Sequence, residues 1–404
     1  GPESNVYWVE EVNEEKYVLS FGDGVFGKQL ENGSKIRVTY LTTSGALANG
    51  IEGAGSFAYL GKLASSDGTT VRQDAVIQAA SVSVGGASIE SVQSVKFRAP
   101  KYYAAQNRAV VKSDYETLIR QIYPAVDDIY VYGGEELDIP EYGRVFVAIK
   151  PSSGATLSNV AKNYITQSLN EYRVASLQIV LQDPSILYVE LDTLVYYNAK
   201  ATLKDSAGIA SEVKRVLSSY FIEGAIDRFG GSVRFSRIVG AIDDADPSIV
   251  RNTTTLRMRK DFAIVANVPS SYEICFEQAL ELNSNNSVIY STGFQLLIDG
   301  VNDGNTYYFE DDTKGVVYLF YFNEAGEKIV KISDFGTVDY TNGEIMIGYA
   351  TPITFVNTVE PNNIIKIRAI PFSQDIVAKK SVYLDFDSDN SKVDAIVDTN
   401  ILSS

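Results

Sequence analysis

Apolar side chains recur along this chain with two different periods, and the change from one to the other divides it into three parts. Up to about residue 97 the period is two. Ile36, Val38 and Tyr40 alternate with Lys35, Arg37 and Thr39, the pattern of a half-buried strand over 35–41. Residues 71–84 and 89–97 read as further strands on either side of Gly85-Gly86, while Gly45, Gly50, Gly53 and Gly55 mark loop.

From 98 to about 266 helices alternate with strands. Ser113 with Glu116 three residues on forms a capping box, and Tyr115, Leu118, Ile119, Ile122 and Tyr123 fall on one helical face before Pro124. Strands are expected over 126–132, 144–150, 177–181 and 186–197, and a helix over 158–172. Ile209, Val213, Val216, Leu217, Tyr220 and Phe221 form the apolar stripe of a third helix. After about 267 the period returns to two. Asn342-Gly343, between apolar runs, is the strongest two-residue hairpin signal, and it would set Tyr340 opposite Ile345 and Val338 opposite Ile347. Gly300–Gly304, Asp311–Gly315 and Asn323–Gly326 read as turns of further hairpins.

The fold class that follows is α+β and multi-domain. It comprises a β-rich N-terminal domain over 1–97, a central α/β layered domain over 98–266 with three main helices, and a C-terminal antiparallel β domain over 267–404.

Composition narrows the function. Hydrophobic residues make up 45% of the 404 and charged ones 21%, as in a chain that folds around a core. Lys plus Arg number 35 against 51 Asp plus Glu, and a formal charge of -16 repels phosphate backbones, so nucleic acid is not an expected partner. No run approaches the ~18 apolar residues of a helical membrane span. The opening Gly1-Pro2-Glu3-Ser4-Asn5 has no export-signal pattern, so neither a membrane partner nor secretion is expected. The chain does not start with Met, which suggests a piece of a longer protein. Cys275 is the sole cysteine and reads as a buried small hydrophobe, compatible with folding in a reducing cytoplasm. The 26 Tyr and 18 Phe suit either protein interfaces or plain sheet surface.

Motifs that suggest chemistry fail on context. Gly22-Asp23-Gly24-Val25-Phe26-Gly27 matches a dinucleotide loop but leads toward a strand rather than a helix, whose N-terminal amides would hold the phosphates; a structural turn is expected. Val147-Ala148-Ile149-Lys150 and Asp334-Phe335-Gly336 resemble kinase fragments, yet more than a hundred residues separate the first from the glycine loop. Histidine is absent, which removes His-based triads, and with one cysteine no Cys/His zinc site can form. Asp127-Asp128, Asp243-Asp244-Asp246 and Asp311-Asp312 read as solvated turn charges rather than a hydrolytic pair. Asp385, Asp387 and Asp389 open like a calcium loop, but Asn390 and Ile396 stand where Gly and Glu belong, so a solvated tail is expected. No catalytic residue, cofactor, metal or small-molecule substrate is therefore assigned.

A set of short segments resembles the baseplate J-like family of tailed phages. It runs from Phe21–Lys28 and Lys35–Tyr40 through Thr43-Ser44-Gly45 to Asn49. It continues in Arg98-Ala99-Pro100, Gln106-Asn107-Arg108-Ala109-Val110 and Ser113-Asp114-Tyr115-Glu116, then Gly133–Glu136, Tyr142-Gly143-Arg144 and Val147–Pro151. The likeness is close over about 17–151 and looser to about 260. It implies a structural subunit of a tail baseplate wedge in the virion, assembled in the host cytoplasm. Such a subunit self-associates as a homodimer, joins other wedge proteins into a ring around the hub, and rearranges on tail contraction. The motif residues it points to are Gly22, Asp23, Gly24, Gly27, Tyr40, Gly45, Asn49, Pro100, Asn107, Arg108, Asp114 and Tyr115. Gly22, Gly24 and Gly27 suit a turn, Asp23 can accept nearby amides, and Asp114 meets the positive end of a helix. Asn107 and Arg108 are expected to brace the helix entry through bonds to neighbouring backbone. A tail-associated carbohydrate hydrolase using two carboxylates, or an adhesin with an aromatic groove, stand as rivals.

Overall fold

The computed structural model describes residues 1–12, 16–42, 44–48, 54–58, 63–64, 70–71, 76–78, 86 and 91–399 except 138, 175, 225 and 283–285. The chain forms two compact units, Gly1–Gly45 and Ala46–Ser404. In the first, strands Tyr7–Val12 and Lys16–Phe21 pair antiparallel, Tyr7 opposite Phe21. The expected strand over 35–41 has no ladder partner among the described residues, and Tyr40 is 77% exposed. Alternation shows only that one face could be buried; pairing needs a neighbouring edge. Of the expected strand over 71–84, Val76–Gln78 is a strand and most of the remainder lies outside the described residues.

The second unit carries two apolar cores. The smaller lies in a three-stranded sheet covered by helices. Strands Val126–Gly133 and Arg144–Pro151 pair antiparallel, and Gln178–Gln182 adds to the latter in parallel. Helix α1 spans Val92–Ala105, α2 Lys112–Ile122 and α3 Asn159–Leu169. Tyr115, Leu118, Ile119 and Tyr123 of the expected stripe are buried against Ile129, Val147, Ile165 and Leu169. The start of α2 differs from expectation. It begins two residues earlier, with Val111 rather than Ser113 at the cap position, and the Asp114 carboxylate accepts the Val110 and Val111 amides at 3.0 Å each. Of the expected strand over 89–97, residues 92–97 are instead the front of α1, and 89 and 90 lie outside the described residues. Ser91 caps it by accepting the Ser94 amide at 3.2 Å, and Val92, Val95, Ala99 and Tyr102 follow a helical rather than a two-residue spacing.

The larger core is built on a thirteen-stranded sheet that runs across position 267: Ile249–Ala263 pairs with Ile364–Ala369 on one side and Ser185–Tyr197 on the other. Helices α4, Ser206–Glu223, and α5, Phe235–Asp243, supply Ile209, Val213, Leu217, Phe221, Ile238 and Ile242 to this core. The expected tail is an ordered edge. Val382–Phe386 and Lys392–Val397 pair in parallel, one after the other, along Ser185–Tyr197.

The hairpin at Asn342-Gly343 has a different register from the one expected. Val338 lies opposite Ile345 and Asp339 opposite Glu344, leaving a four-residue turn. The cause is local chemistry. The Asp339 carboxylate captures the Thr341 and Asn342 amides at 2.9 and 3.2 Å, its carbonyl accepts the Gly343 amide, and Gly343 alone in the turn takes a positive φ, +68°. The two-residue turn occurs at Asp299-Gly300 instead, with φ of 50° and 79° between the mutually bonded Ile298 and Val301. A Cβ on Gly343 would sit 2.1 Å from the Gln278 carbonyl oxygen. Gly343→Ala is therefore expected to cost about 1–3 kcal/mol in urea unfolding, with Asn342→Ala costing clearly less. Equal losses would indicate the two-residue turn.

Candidate interdomain junction

The motif residues do not gather into one site. Gly22, Asp23, Gly24 and Gly27 share a turn in the first unit. There the Asp23 carboxylate accepts the Val25 and Phe26 amides at 2.9 and 2.8 Å, and the Gly24 amide donates to the Gly27 carbonyl. Those two amides hold the Asp23 carboxyl below its usual range. A Cβ on Gly22 would lie 2.2 Å from the Gly27 carbonyl carbon, so the glycines serve close backbone packing. Gly45 opens a short 3-10 turn, Gly45–Ala48, and Asn49 lies outside the described residues. Pro100 sits exposed within α1. Asn107 accepts the Tyr102 hydroxyl and Arg108 reaches the Gln106 amide oxygen at 3.5 Å, so both engage side chains where backbone partners were expected. Tyr115 is a core residue of α2.

What the fold does bring together is an ionic seam between the two cores of the second unit. Lys150, at the end of the central strand of the small sheet, is only 6% exposed. Its ammonium donates to the Pro151 and Gly154 carbonyls at 3.3 and 3.2 Å, and lies 3.8 Å from Asp127 and 3.7 Å from Asp385 of the large sheet. A register shift between Val126 and Asp128 places both acids of the Asp127-Asp128 pair at this seam. Asp128 accepts the Phe229 amide at 2.9 Å and pairs with Arg120 at 3.4 Å. The Phe229 ring lies between Tyr130 of the small sheet and Tyr383 of the large one, with centroids 5.8 and 5.4 Å away.

Behind this seam lies Asp227. Its carboxylate accepts the Phe386 amide at 3.1 Å and its carbonyl accepts the Tyr383 hydroxyl. Burial, with the Asp385 charge added, pushes its pKa up to about 7. Burial also raises the Asp385 carboxyl, against the pull of Lys150.

Next to the seam, Arg259 and Glu190 are buried together and bonded at 2.6 Å. Arg368 adds two bonds to Glu190, at 2.6 and 3.2 Å, while Arg259 also pairs with Asp261 at 2.8 Å and with Asp387. Burial works against the Arg259 charge, but Asp261, Asp387 and Glu190 outweigh it and hold the guanidinium above its ordinary value. Tyr188, its hydroxyl pushed up to about 12 by burial, has the Arg259 guanidinium over its ring at 4.1 Å. A cavity of about 350 Å³ opens here, lined by Lys150, Tyr188, Arg259, Asp385, Asp387 and Ser388.

The acids expected to be solvated are structural acceptors. Asp311 is buried and takes the Val288 and Ile289 amides at 2.8 Å each and the Tyr340 hydroxyl at 2.7 Å. Asp246 bonds the Ser248 hydroxyl, the Ser248 amide and Lys204, which hold its pKa at about 2. Asp387 folds its own loop by accepting the Asp389 and Asn390 amides at 3.1 and 2.9 Å. Cys275 is half-buried rather than buried. Sequence reading missed Lys150, Asp227, Glu190 and Arg259 as a group. The signal available was Glu190 among Leu187, Val189 and Leu191, a charge inside an apolar strand.

Carboxylates and cations at the seam are spent on one another and on backbone groups, so the arrangement is suited to holding two bodies in register. Among the described residues no group of three or more His, Cys, Asp or Glu could hold a metal ion, and no helix is long and apolar enough to cross a membrane.

Comparison with known proteins falls on the same two bodies. Residues 111–181 match the family described as baseplate structural protein gp6, C-terminal domain I, and residues 185–261 match its C-terminal domain III. The likeness is thus to structural proteins of a phage baseplate. A curated relative, baseplate wedge protein gp6 of Enterobacteria phage T4, is 22% identical over 278 residues, 65% of this chain and 41% of that protein. The chain thus spans less than half the length of that relative. Among solved structures, the 6-fold symmetrised baseplate of the anti-feeding prophage covers 46% of this chain and 41% of the matched chain, at 21% identity and a TM-score of 0.31.

Asp227 makes the seam sensitive to pH. Because its pKa in the fold is raised, its contribution to stability is complete below about pH 3.8 and is lost as pH rises to about 7. Asp227→Asn is expected to remove that loss, gaining on the order of 2–4 kcal/mol over the parent at pH 8 relative to pH 4, discounted for partial exposure. Urea unfolding at both pH values reads this; parallel pH profiles would assign the charge no cost.

Proposed function

We propose that this chain is part of a structural subunit of a phage tail baseplate wedge, which belongs to the baseplate J-like group and works through interfaces rather than catalysis. The observation that carries this reading is the order of the two domain matches, 111–181 then 185–261, which meet where the Asp128 carboxylate accepts the Phe229 amide. The T4 relative is named as a wedge protein, and location in the virion tail baseplate follows on the same reading. The subunit associates with itself and with other wedge proteins, and its interfaces exchange contacts when the tail contracts. The acids that a hydrolase would need are bound to Lys150, Arg259 and backbone amides, which favours the structural reading over the hydrolytic one.

Sedimentation of the purified chain with the other wedge subunits of its own phage tests the proposal. A heavier boundary containing this chain is the expected result. A chain that sediments alone and monomeric in every mixture would overturn it, as would turnover of a cell-wall polymer that disappears on neutralising one carboxylate.

A further inference from the structure

We propose that the Lys150 amine and the Asp385 carboxylate condense into an amide, a covalent tie across the seam between the small sheet and the large one. What carries it is a buried amine held against a largely buried acid: Lys150 Nζ lies 3.7 Å from an Asp385 oxygen. Asp127, at 3.8 Å, is the other carboxylate in reach, but its side chain is 42% exposed against 27% for Asp385, so water competes for it more. The Tyr383 ring, 5.3 Å from the ammonium, and the Phe229 ring packed against it at 5.4 Å add apolar surface around the pair. The Pro151 and Gly154 carbonyls accept from the ammonium at 3.3 and 3.2 Å, which leaves its third N–H direction for the acid. When that proton passes to the carboxylate, the nitrogen lone pair takes its place. Two buried charges then vanish together, which relieves the desolvation each one bears. A pair fixed in this way reacts as one molecule, without the entropy cost of encounter.

The step balances without an oxidant, a metal or a cofactor. The Lys150 nitrogen bonds to the Asp385 carboxyl carbon, and one carbon–oxygen bond of that carboxyl breaks. The oxygen leaves as water with two of the three ammonium protons, and the third stays on the amide nitrogen. Burial draws Asp385 toward its neutral form, with Lys150 acting against it and Asp127 and Asp387 acting with it. Asp227 is placed to carry the protons in transit. It accepts the amide of Phe386, the residue after Asp385, and burial pushes its pKa up to about 7, so it both gives and takes a proton near neutrality. The product closes a loop from 150 to 385 that encloses most of the large sheet, and a cross-link over a long loop restricts the unfolded chain strongly. An ion pair lets the two cores part; an amide does not. The chemistry needs this chain alone, so it stands or falls apart from the baseplate reading.

The test is the mass of the purified full chain, incubated folded at neutral pH and then denatured. The expected mass is one water below that calculated from the sequence, and digestion should yield a branched peptide joining the segments around 150 and 385. Lys150→Arg and Asp385→Ala should each restore the full mass, while Asp127→Ala should keep the loss. Asp227→Asn should slow the loss of water about a hundredfold, with the circular dichroism of the fold unchanged. Linkage at the parental rate in that variant overturns the proton-carrying role of Asp227. A parent that keeps its full mass after prolonged incubation overturns the proposal, and this result does not depend on any variant folding. A branch at Asp127 overturns the assignment to Asp385, and a water lost within one segment as a cyclic imide overturns the cross-link itself.

Discussion

A carboxylate removed from water has to be matched, and Glu190 is the one whose matching organises the large sheet. Its two oxygens take Arg259 and Arg368, from the two strands that follow it across the sheet, and Arg259 in turn takes Asp387 from the loop between the last two strands. Four segments far apart in sequence must arrive in one register to satisfy it. Such a network adds little net stability over an apolar core of equal size, because desolvation offsets the attraction, but leaving one member unpaired is costly. It therefore selects a single register among the alternatives open to a long antiparallel sheet.

The same economy of charge continues into the seam. Asp385, two residues before Asp387, reaches Lys150 of the small sheet, so one edge strand, Val382–Phe386, links the buried network to the neighbouring body. The aromatic contacts of Phe229 with Tyr130 and Tyr383 close over it. A joint with few apolar residues and many charges is physically distinct from a welded core. Its strength depends on protonation state and geometry more than on area. Asp227 sits where that dependence is greatest, between an amide it accepts and an acid that repels it.

Several elements were legible because their information is local. The stripe of Tyr115, Leu118 and Ile119 makes α2, and the stripe of Ile209, Val213, Leu217 and Phe221 makes α4; both are buried as their spacing implies. Where a side chain competes for the backbone, local reading slipped. Asp339 captured two amides and turned an expected two-residue hairpin into a four-residue one, and Val111 rather than Ser113 took the cap position of α2, with the Asp114 carboxylate on its amide. Residues 35–41 alternate as a strand should, yet no edge is offered to them among the described residues. At the front of α1, Val92 and Val95 keep a helical spacing and Ser91 supplies the cap, so the strand expected there gives way to a helix over 92–97.

The sequence alone determined an acidic, aromatic-rich α+β chain without histidine, the helix faces and most strands of the central region, and a likeness that points to a baseplate. Periodicity and composition are properties of neighbours along the chain, so they are readable there. Only the tertiary structure decided that Asp385 and Asp387 belong to an ordered edge, that Lys150 bridges two bodies, and that Glu190 meets two arginines. Those facts depend on which distant strands lie side by side, and a buried charge is recognisable as paired only after its partner has been brought to it.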